Sequence, residues 1–167
     1  MTTLRMCYKL TVPRNASARD FYFMRLALEE ARKGASRGEV PVGAAVVIGD
    51  VLIASAHNRR EELKDPTAHA EILALREASC ELGDWRLEGC VLYVTLEPCL
   101  MCAGAILQTR IKRVVYGAHD PKGGACGSVY DLLSDGRISP RREVVGGVLE
   151  EESGELLRGF FCSRRKA

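Results

Sequence analysis

The stretch Val91-Leu-Tyr-Val-Thr-Leu-Glu-Pro-Cys-Leu-Met-Cys-Ala-Gly-Ala-Ile-Leu-Gln-Thr-Arg-Ile-Lys-Arg-Val-Val-Tyr-Gly117 decides the fold class. Residues 91–96 and 112–117 are short apolar runs that read as strands, and the small-residue segment 98–108 between them reads as a helix. Strand, helix and strand in that order make a parallel βαβ unit, whose crossover is expected to be right-handed. The chain is read as an α/β protein.

Upstream, Ile72, Leu75, Ala78 and Leu82 form the buried stripe of a helix that Pro66 and Thr67 are expected to open and Gly83 to stop. A polar loop over residues 58–65 precedes it. Before that loop, the apolar runs 42–48 and 51–56 flank Gly49-Asp50, a pair suited to a two-residue hairpin turn. An earlier helix starts at Ser17, with Asp20 three positions on as in a capping box. Phe21, Met24, Leu28 and Ala31 form its apolar face, and Arg32, Lys33 and Gly34 are expected to end it. Residues 1–16 show no amphipathic period and read as a mobile or loosely packed extension to a single domain over 17–167. Downstream, the glycine-rich residues 120–128 read as a loop, 129–133 as a short helix and 144–148 as a last strand. The ending reads as a helix, with Leu149, Leu156 and Phe160 on one face, acids in front and Arg164, Arg165 and Lys166 behind. There is no internal repeat and no linker.

Composition narrows the class. The chain has 167 residues, the size of one domain, with 47% hydrophobic, 28% charged and 6% aromatic residues. That balance disfavours disorder, collagen-like and coiled-coil readings. No apolar run approaches the roughly 18 residues of a membrane helix, so no membrane partner is expected. A formal charge of +2 makes any basic surface local. Residues 1–17 have no long hydrophobic core of the signal-peptide kind, so the protein is expected in the cytoplasm. Seven cysteines, an odd number in a chain that needs no staples, favour metal or core roles over disulfides.

Two pieces carry chemistry: His69-Ala70-Glu71 and Pro98-Cys99-Leu100-Met101-Cys102. Cys99 and Cys102 project from one helix face, and at a helix start the N–H groups and dipole lower thiol pKa values. His69 and Glu71 lie about 200° apart around a helix, so one site uses both only if it sits over the helix N-terminus. A histidine and two thiolates give zinc three ligands and leave a fourth position for water. A carboxylate beside that water suits a general acid/base, which assigns Glu71 a role other than ligand. The combined pattern is the established signature of zinc deaminases, a group of which tRNA adenosine deaminases are a standing example. The competing arrangement is a closed structural site with Cys126, His119 or Cys90 as fourth ligand and Glu71 on the surface. Structural zinc ordinarily uses two paired-ligand motifs, and one is present. Cys7, Cys80, Cys90, Cys126 and Cys162 otherwise read as plain thiols.

These residues lie in longer motifs: Thr95-Leu-Glu-Pro-Cys-Leu-Met-Cys-Ala-Gly-Ala-Ile106, Arg110-Ile-Lys-Arg-Val-Val-Tyr-Gly-Ala118, Asp65-Pro-Thr-Ala-His-Ala-Glu71, Gly38-Glu-Val-Pro-Val-Gly43 and the segment 120–128. Over residues 17–165 the chain resembles the bacterial tRNA-specific adenosine deaminases of the cytidine deaminase-like superfamily. The resemblance implies a three-layer α/β/α fold with a central mixed sheet of about five strands. It also implies a homodimer that converts adenosine to inosine at the wobble position of a tRNA anticodon stem-loop. One zinc per subunit would be held by His69, Cys99 and Cys102, and Glu71 would carry protons from water to the purine and to the departing amine. Asn58, Ala70, Val40, Pro41 and Val42 match positions around the flipped base, and Asp120 one near the RNA backbone.

Plainer roles stand beside these: a turn cap for Asn58, a core-strand entry for residues 40–42 and a loop cap for Asp120. His57 and His119 read as core or solvated histidines. Arg110, Lys112, Arg113, Lys122 and Arg164 to Lys166 are candidates to follow phosphates. The family's loop often has a basic residue where His119 stands, followed here by Asp120-Pro121. Two other functions remain open: deamination of a free base or nucleotide, which the zinc motif alone does not distinguish, and a zinc-stabilised RNA-binding module, which the position of Glu71 argues against.

Overall fold

The computed structural model describes Pro13 and residues 15–165. The expected extension over 1–16 therefore lies almost wholly outside the described residues, as do Cys7 and Lys166. Helix α1 (Ala18–Ser36) opens with the expected capping box: the Asp20 N–H donates to the Ser17 hydroxyl, and the Ser17 N–H donates to the Asp20 carboxylate. It does not end at Gly34. That glycine lies within the helix against the His57 ring, and the left-handed glycine beyond the end is Gly38.

Strands β1 (Gly43–Ile48) and β2 (Val51–His57) pair antiparallel across Gly49-Asp50, with Gly49 at a φ of 55°. Helix α2 (Arg60–Leu63) occupies part of the expected polar loop. Helix α3 (Ala70–Leu82), strand β3 (Cys90–Leu96), helix α4 (Leu100–Gln108) and strand β4 (Arg113–Ala118) follow, and β3 and β4 are parallel, as the opening motif requires. Strand β5 (Glu143–Val145) and helix α5 (Glu150–Arg164) complete the order.

The five strands run β2-β1-β3-β4-β5; β2, β1 and β3 are antiparallel, and β3, β4 and β5 are parallel. Alternation along each strand sorts side chains between two cores. Ala44, Val46, Leu92, Val94 and Val114 face Ala74 and Ala78 of α3 and Ala103 and Ile106 of α4. Ala45, Val47, Tyr93 and Val115 face Phe23, Met24, Ala27 and Leu28 of α1. The result is the expected α/β/α arrangement. At Gly43 a Cβ would strike the backbone of Ala27 and Ala31, so α1 rests directly on β1 there. The end of α5 is also tied down, since the Arg164 guanidinium donates to the Gly38 carbonyl.

Two local expectations fail. Residues 129–133 form turns and an isolated bridge rather than a helix, because the N–H groups of Val129 and Tyr130 both go to the Gly124 carbonyl and that of Leu132 to Ala125. The last strand is shorter and earlier than 144–148, since Gly146 packs against the Tyr116 ring and Gly147 turns the chain with a φ of 85°.

One buried ionic knot joins the back layer to the sheet. Asp20, 1% exposed, accepts from Arg113 Nη1 (2.7 Å) and Nη2 (3.0 Å) and from the Tyr93 hydroxyl (3.0 Å), and Arg113 reaches on to Glu143 (3.0 Å). Arg113 is thus engaged inside the fold and is not free to follow phosphates. Burial works against ionisation of Asp20, but Arg113, Ser17 and Tyr93 outweigh it and hold the carboxyl at about 2, below its ordinary 3.8. Because the folded value is the lower one, the stabilisation, about 2 kcal/mol, is complete above roughly pH 4 and is lost as pH falls towards 2. Urea melts from pH 7 to pH 2 are expected to show a shallower acid decline for Asp20→Asn than for the parent chain. Arg113→Ala, which strands the buried carboxylate, is expected to cost about 3–5 kcal/mol at pH 7.

Candidate active site

The site forms where α3 and α4 begin. His69 is the N-cap of α3 and Cys99 the N-cap of α4, both in extended backbone conformation, and neither side chain makes a capping hydrogen bond. Both are therefore free to point away from their helices. Cys102, one turn into α4, completes the group. The His69 Nδ1 atom lies 3.7 Å from Cys99 Sγ and 3.5 Å from Cys102 Sγ, and the three ligand atoms all fall within 4.8 Å of one another. Tetrahedral zinc with ordinary bond lengths would separate such ligands by about 3.5–3.8 Å, so the donor set and spacing fit that ion. Cys90, His119 and Cys126 are not part of the cluster, and no closed four-ligand site forms among the described residues.

Glu71 is not on the surface. It is 3% exposed, and its Oε2 is buried with no hydrogen-bond partner. Burial pushes its carboxyl up to about 7, assisted by Cys99 and opposed by His69 and Cys102. A buried, unpartnered carboxylate oxygen beside three metal-ligating atoms is the feature a hydrolytic site needs and a structural one does not. Cys99 is held down to about 3, first by the hydrogen bond from the Cys102 thiol, and Cys102 is pushed up by the same contact and by burial. A divalent cation bound here would hold both sulfurs as thiolates. His69 is raised chiefly by its contact with Cys99.

Around this centre the predicted residues divide. Asn58, 6% exposed, accepts the Ala70 N–H at its Oδ1 (2.8 Å). It caps α3 from twelve residues upstream, doing what the ligand His69 does not. Its amide nitrogen makes no hydrogen bond among the described residues. Pro66 and Thr67 do not open the helix: the Asp65 carboxylate takes the Thr67 N–H and hydroxyl, and these residues form a turn before it. Val42 and Ala70 are core residues, 5% and 0% exposed; Pro41 is also buried, and Val40 is half-buried and packed against the same core. Asp120 is half-buried, and its Oδ1 accepts the Lys122 N–H. The plainer reading of Asn58 and of Asp120, a cap, thus corresponds to a hydrogen bond in each case. His57 is a core histidine, with Nδ1 at 3.0 Å from Glu30, and His119 is half-exposed, with Nδ1 at 3.0 Å from the Tyr116 hydroxyl. Arg110 pairs with Glu88, leaving Lys112 and Lys122 exposed.

Sequence reasoning missed two buried acids. Glu39 accepts the N–H groups of Glu61 (3.2 Å) and Glu62 (2.8 Å), anchoring α2 beside the site, and Glu97 receives the loop after β4. A charge inside an otherwise apolar motif was their signal.

The family model for the cytidine and deoxycytidylate deaminase zinc-binding region matches residues 17–118. The chain is 52% identical to the tRNA-specific adenosine deaminase of Bacillus subtilis over 147 residues, which covers 88% of this chain and 91% of that protein. The chain belongs to the tRNA-specific adenosine deaminase family. A solved structure from work on A-to-I editing by tRNA A34 deaminases at the wobble position superposes with a TM-score of 0.79 at 51% identity, covering 81% of this chain and 99% of that one. A guanine deaminase from Nitrosomonas europaea shares the fold at a TM-score of 0.77 but only 26% identity, covering 91% and 89%. The family is zinc-binding, and one ion per chain is what the His69, Cys99 and Cys102 cluster has room to hold.

Cys102→Ser is expected to reduce bound zinc from about one ion per chain to below about a tenth after dialysis, because a three-ligand site that loses a thiolate keeps little affinity. Inductively coupled plasma mass spectrometry on the purified protein measures it.

Proposed function

We propose that this chain hydrolyses adenosine to inosine at the wobble position of a tRNA anticodon, releasing ammonia. The observation that carries the chemistry is Glu71: a buried carboxylate with one unpartnered oxygen beside a His/Cys/Cys cluster. Identity of 52% over 88% of the chain to a tRNA-specific deaminase supports the substrate, since two guanine deaminases match at 26% over 91% of the chain and at 41% over only 59% of it.

His69, Cys99 and Cys102 hold the metal, which when bound supplies Lewis acidity that brings water within reach of ionisation near neutral pH. Glu71 takes a proton from the water whose oxygen attacks the amino-bearing carbon of the purine, and delivers it to the ring nitrogen. Glu71 next takes the proton of the hydroxyl now on that carbon and gives it to the amine, which leaves as ammonia as the C–N bond breaks and the inosine carbonyl forms, so one carboxylate serves both halves of the reaction. Because the Asn58 carbonyl oxygen is committed to Ala70, its amide nitrogen is left to donate to an acceptor on the base. Val40 forms the apolar rim of the base pocket, with Pro41 and Val42 backing it. Asp120 meets the RNA backbone, where a carboxylate accepting from a 2′-hydroxyl distinguishes RNA from DNA. No helix among the described residues is long and apolar enough to cross a membrane. The protein works with its tRNA in the cytoplasm as a homodimer, and the half-buried small residues Gly104 and Ala105 on α4 permit close helix packing between subunits, whereas Ala103 is spent on the core.

Zinc-loaded protein incubated with an anticodon stem-loop carrying wobble adenosine is expected to produce inosine, detected by nucleoside mass spectrometry. Turnover of free guanine or cytidine without inosine in the RNA would transfer the chain to the free-base class. Glu71→Ala is expected to keep its zinc and its melting temperature while losing about 10²–10⁴ in kcat. Wild-type turnover in that variant would remove Glu71 from the proton transfers, and no turnover in either protein would indicate a non-catalytic zinc-stabilised module.

A further inference from the structure

Glu97 precedes the ligand Cys99 by two residues, and its side chain is fully buried, yet none of the chemistry above uses it. Its carboxylate accepts four hydrogen bonds, all from the segment that follows β4: the N–H groups of Asp120 (2.9 Å), Cys126 (3.0 Å) and Ser128 (3.0 Å), and the Ser128 hydroxyl. A Cβ at Gly124 would collide with the same carboxylate, so the glycine lets the loop close over it. The loop is also joined to the start of α4: Gly124 forms an isolated bridge with Cys99, and the Ala125 N–H donates to the Pro98 carbonyl (2.8 Å).

Residues 120–128 have no regular strand or helix to hold them, and they include three glycines. Such a segment loses much conformational freedom when fixed. One acceptor receiving donors from both ends of the loop supplies the constraint, and it stands in the β3–α4 connection two residues before Cys99. We propose that Glu97 is a positioning residue, holding the 120–128 loop and Asp120 with it in the conformation that receives RNA. The RNA part rests on the tRNA reading above; the loop part does not. A loop ordered before binding spares the complex the cost of ordering it. Its contacts are made equally before and during reaction, so losing them raises KM and leaves kcat nearly unchanged.

The test compares Glu97→Gln and Ser128→Ala with the parent enzyme, using a wobble-adenosine stem-loop, zinc analysis and amide hydrogen exchange over residues 120–128. Ser128→Ala removes one side-chain donor without disturbing the buried carboxylate, so it remains informative if Glu97→Gln folds poorly. For Glu97→Gln, faster exchange in the loop, unchanged zinc, a KM raised about tenfold and a kcat within about threefold are expected, with smaller shifts in the same direction for Ser128→Ala. Unchanged exchange in both variants overturns the proposal. So does faster exchange with an unchanged KM, which would make the loop's order irrelevant to RNA, or a loss of zinc and kcat at constant KM, which would make Glu97 a support for Cys99. Should the parent enzyme not convert the stem-loop at all, the tRNA reading fails and the exchange result alone judges the clamp.

Discussion

The structure depends on bringing two helix starts to one point with their N-cap side chains left free. An N-cap residue ordinarily spends its side chain on the orphan N–H groups of its own first turn. His69 and Cys99 do not, and for α3 the support comes from elsewhere: Asn58 accepts the Ala70 N–H from twelve residues upstream. Both helices lie on the same face of the sheet, packed on alternate residues of β1, β3 and β4, so the distance between their starts is set by the rigid central layer. The metal site is the meeting of two backbone termini that the sheet places.

The same economy governs the loops beside the site. Glu39 and Asn58 are buried side chains that accept N–H groups in the first turns of α2 and α3, and Glu97 accepts those of the irregular 120–128 segment. A buried carboxylate aimed at a loop costs desolvation, which charge-assisted hydrogen bonds recover, and at Glu97 the loop acquires a fixed shape without a strand or helix of its own. Glu71 is the exception. Its oxygen lacks a protein partner, and that shortfall distinguishes it from the three structural acceptors.

Much of this was legible in the chain. The βαβ unit, the hairpin at Gly49-Asp50 and the capping box at Ser17 each rest on local chemistry that tertiary contacts did not override. The ligands were legible too, because thiolates and imidazole at helix starts have few other uses. Boundaries failed where side chains departed from their usual work. Pro66 and Thr67 looked like a helix start because the real N-cap is a ligand, and the acceptor that replaces it lies far off in sequence. Gly34 looked like a stop because nothing local reveals that His57 needs the space. Residues 129–133 looked helical by composition, but two of their N–H groups are already committed to Gly124. Val42 and Ala70 are core residues next to the site, and no local pattern separates lining a pocket from backing one.

The guanidinium of Arg164 closes a circuit between positions 126 residues apart, fastening the far end of α5 to the carbonyl just ahead of Glu39 and Val40. The segment that leads into β1 is thereby braced by a helix that contributes nothing to the metal cluster. A chain trimmed just short of that arginine would retain His69, Cys99, Cys102 and Glu71 while leaving the backbone ahead of Glu39 unfastened.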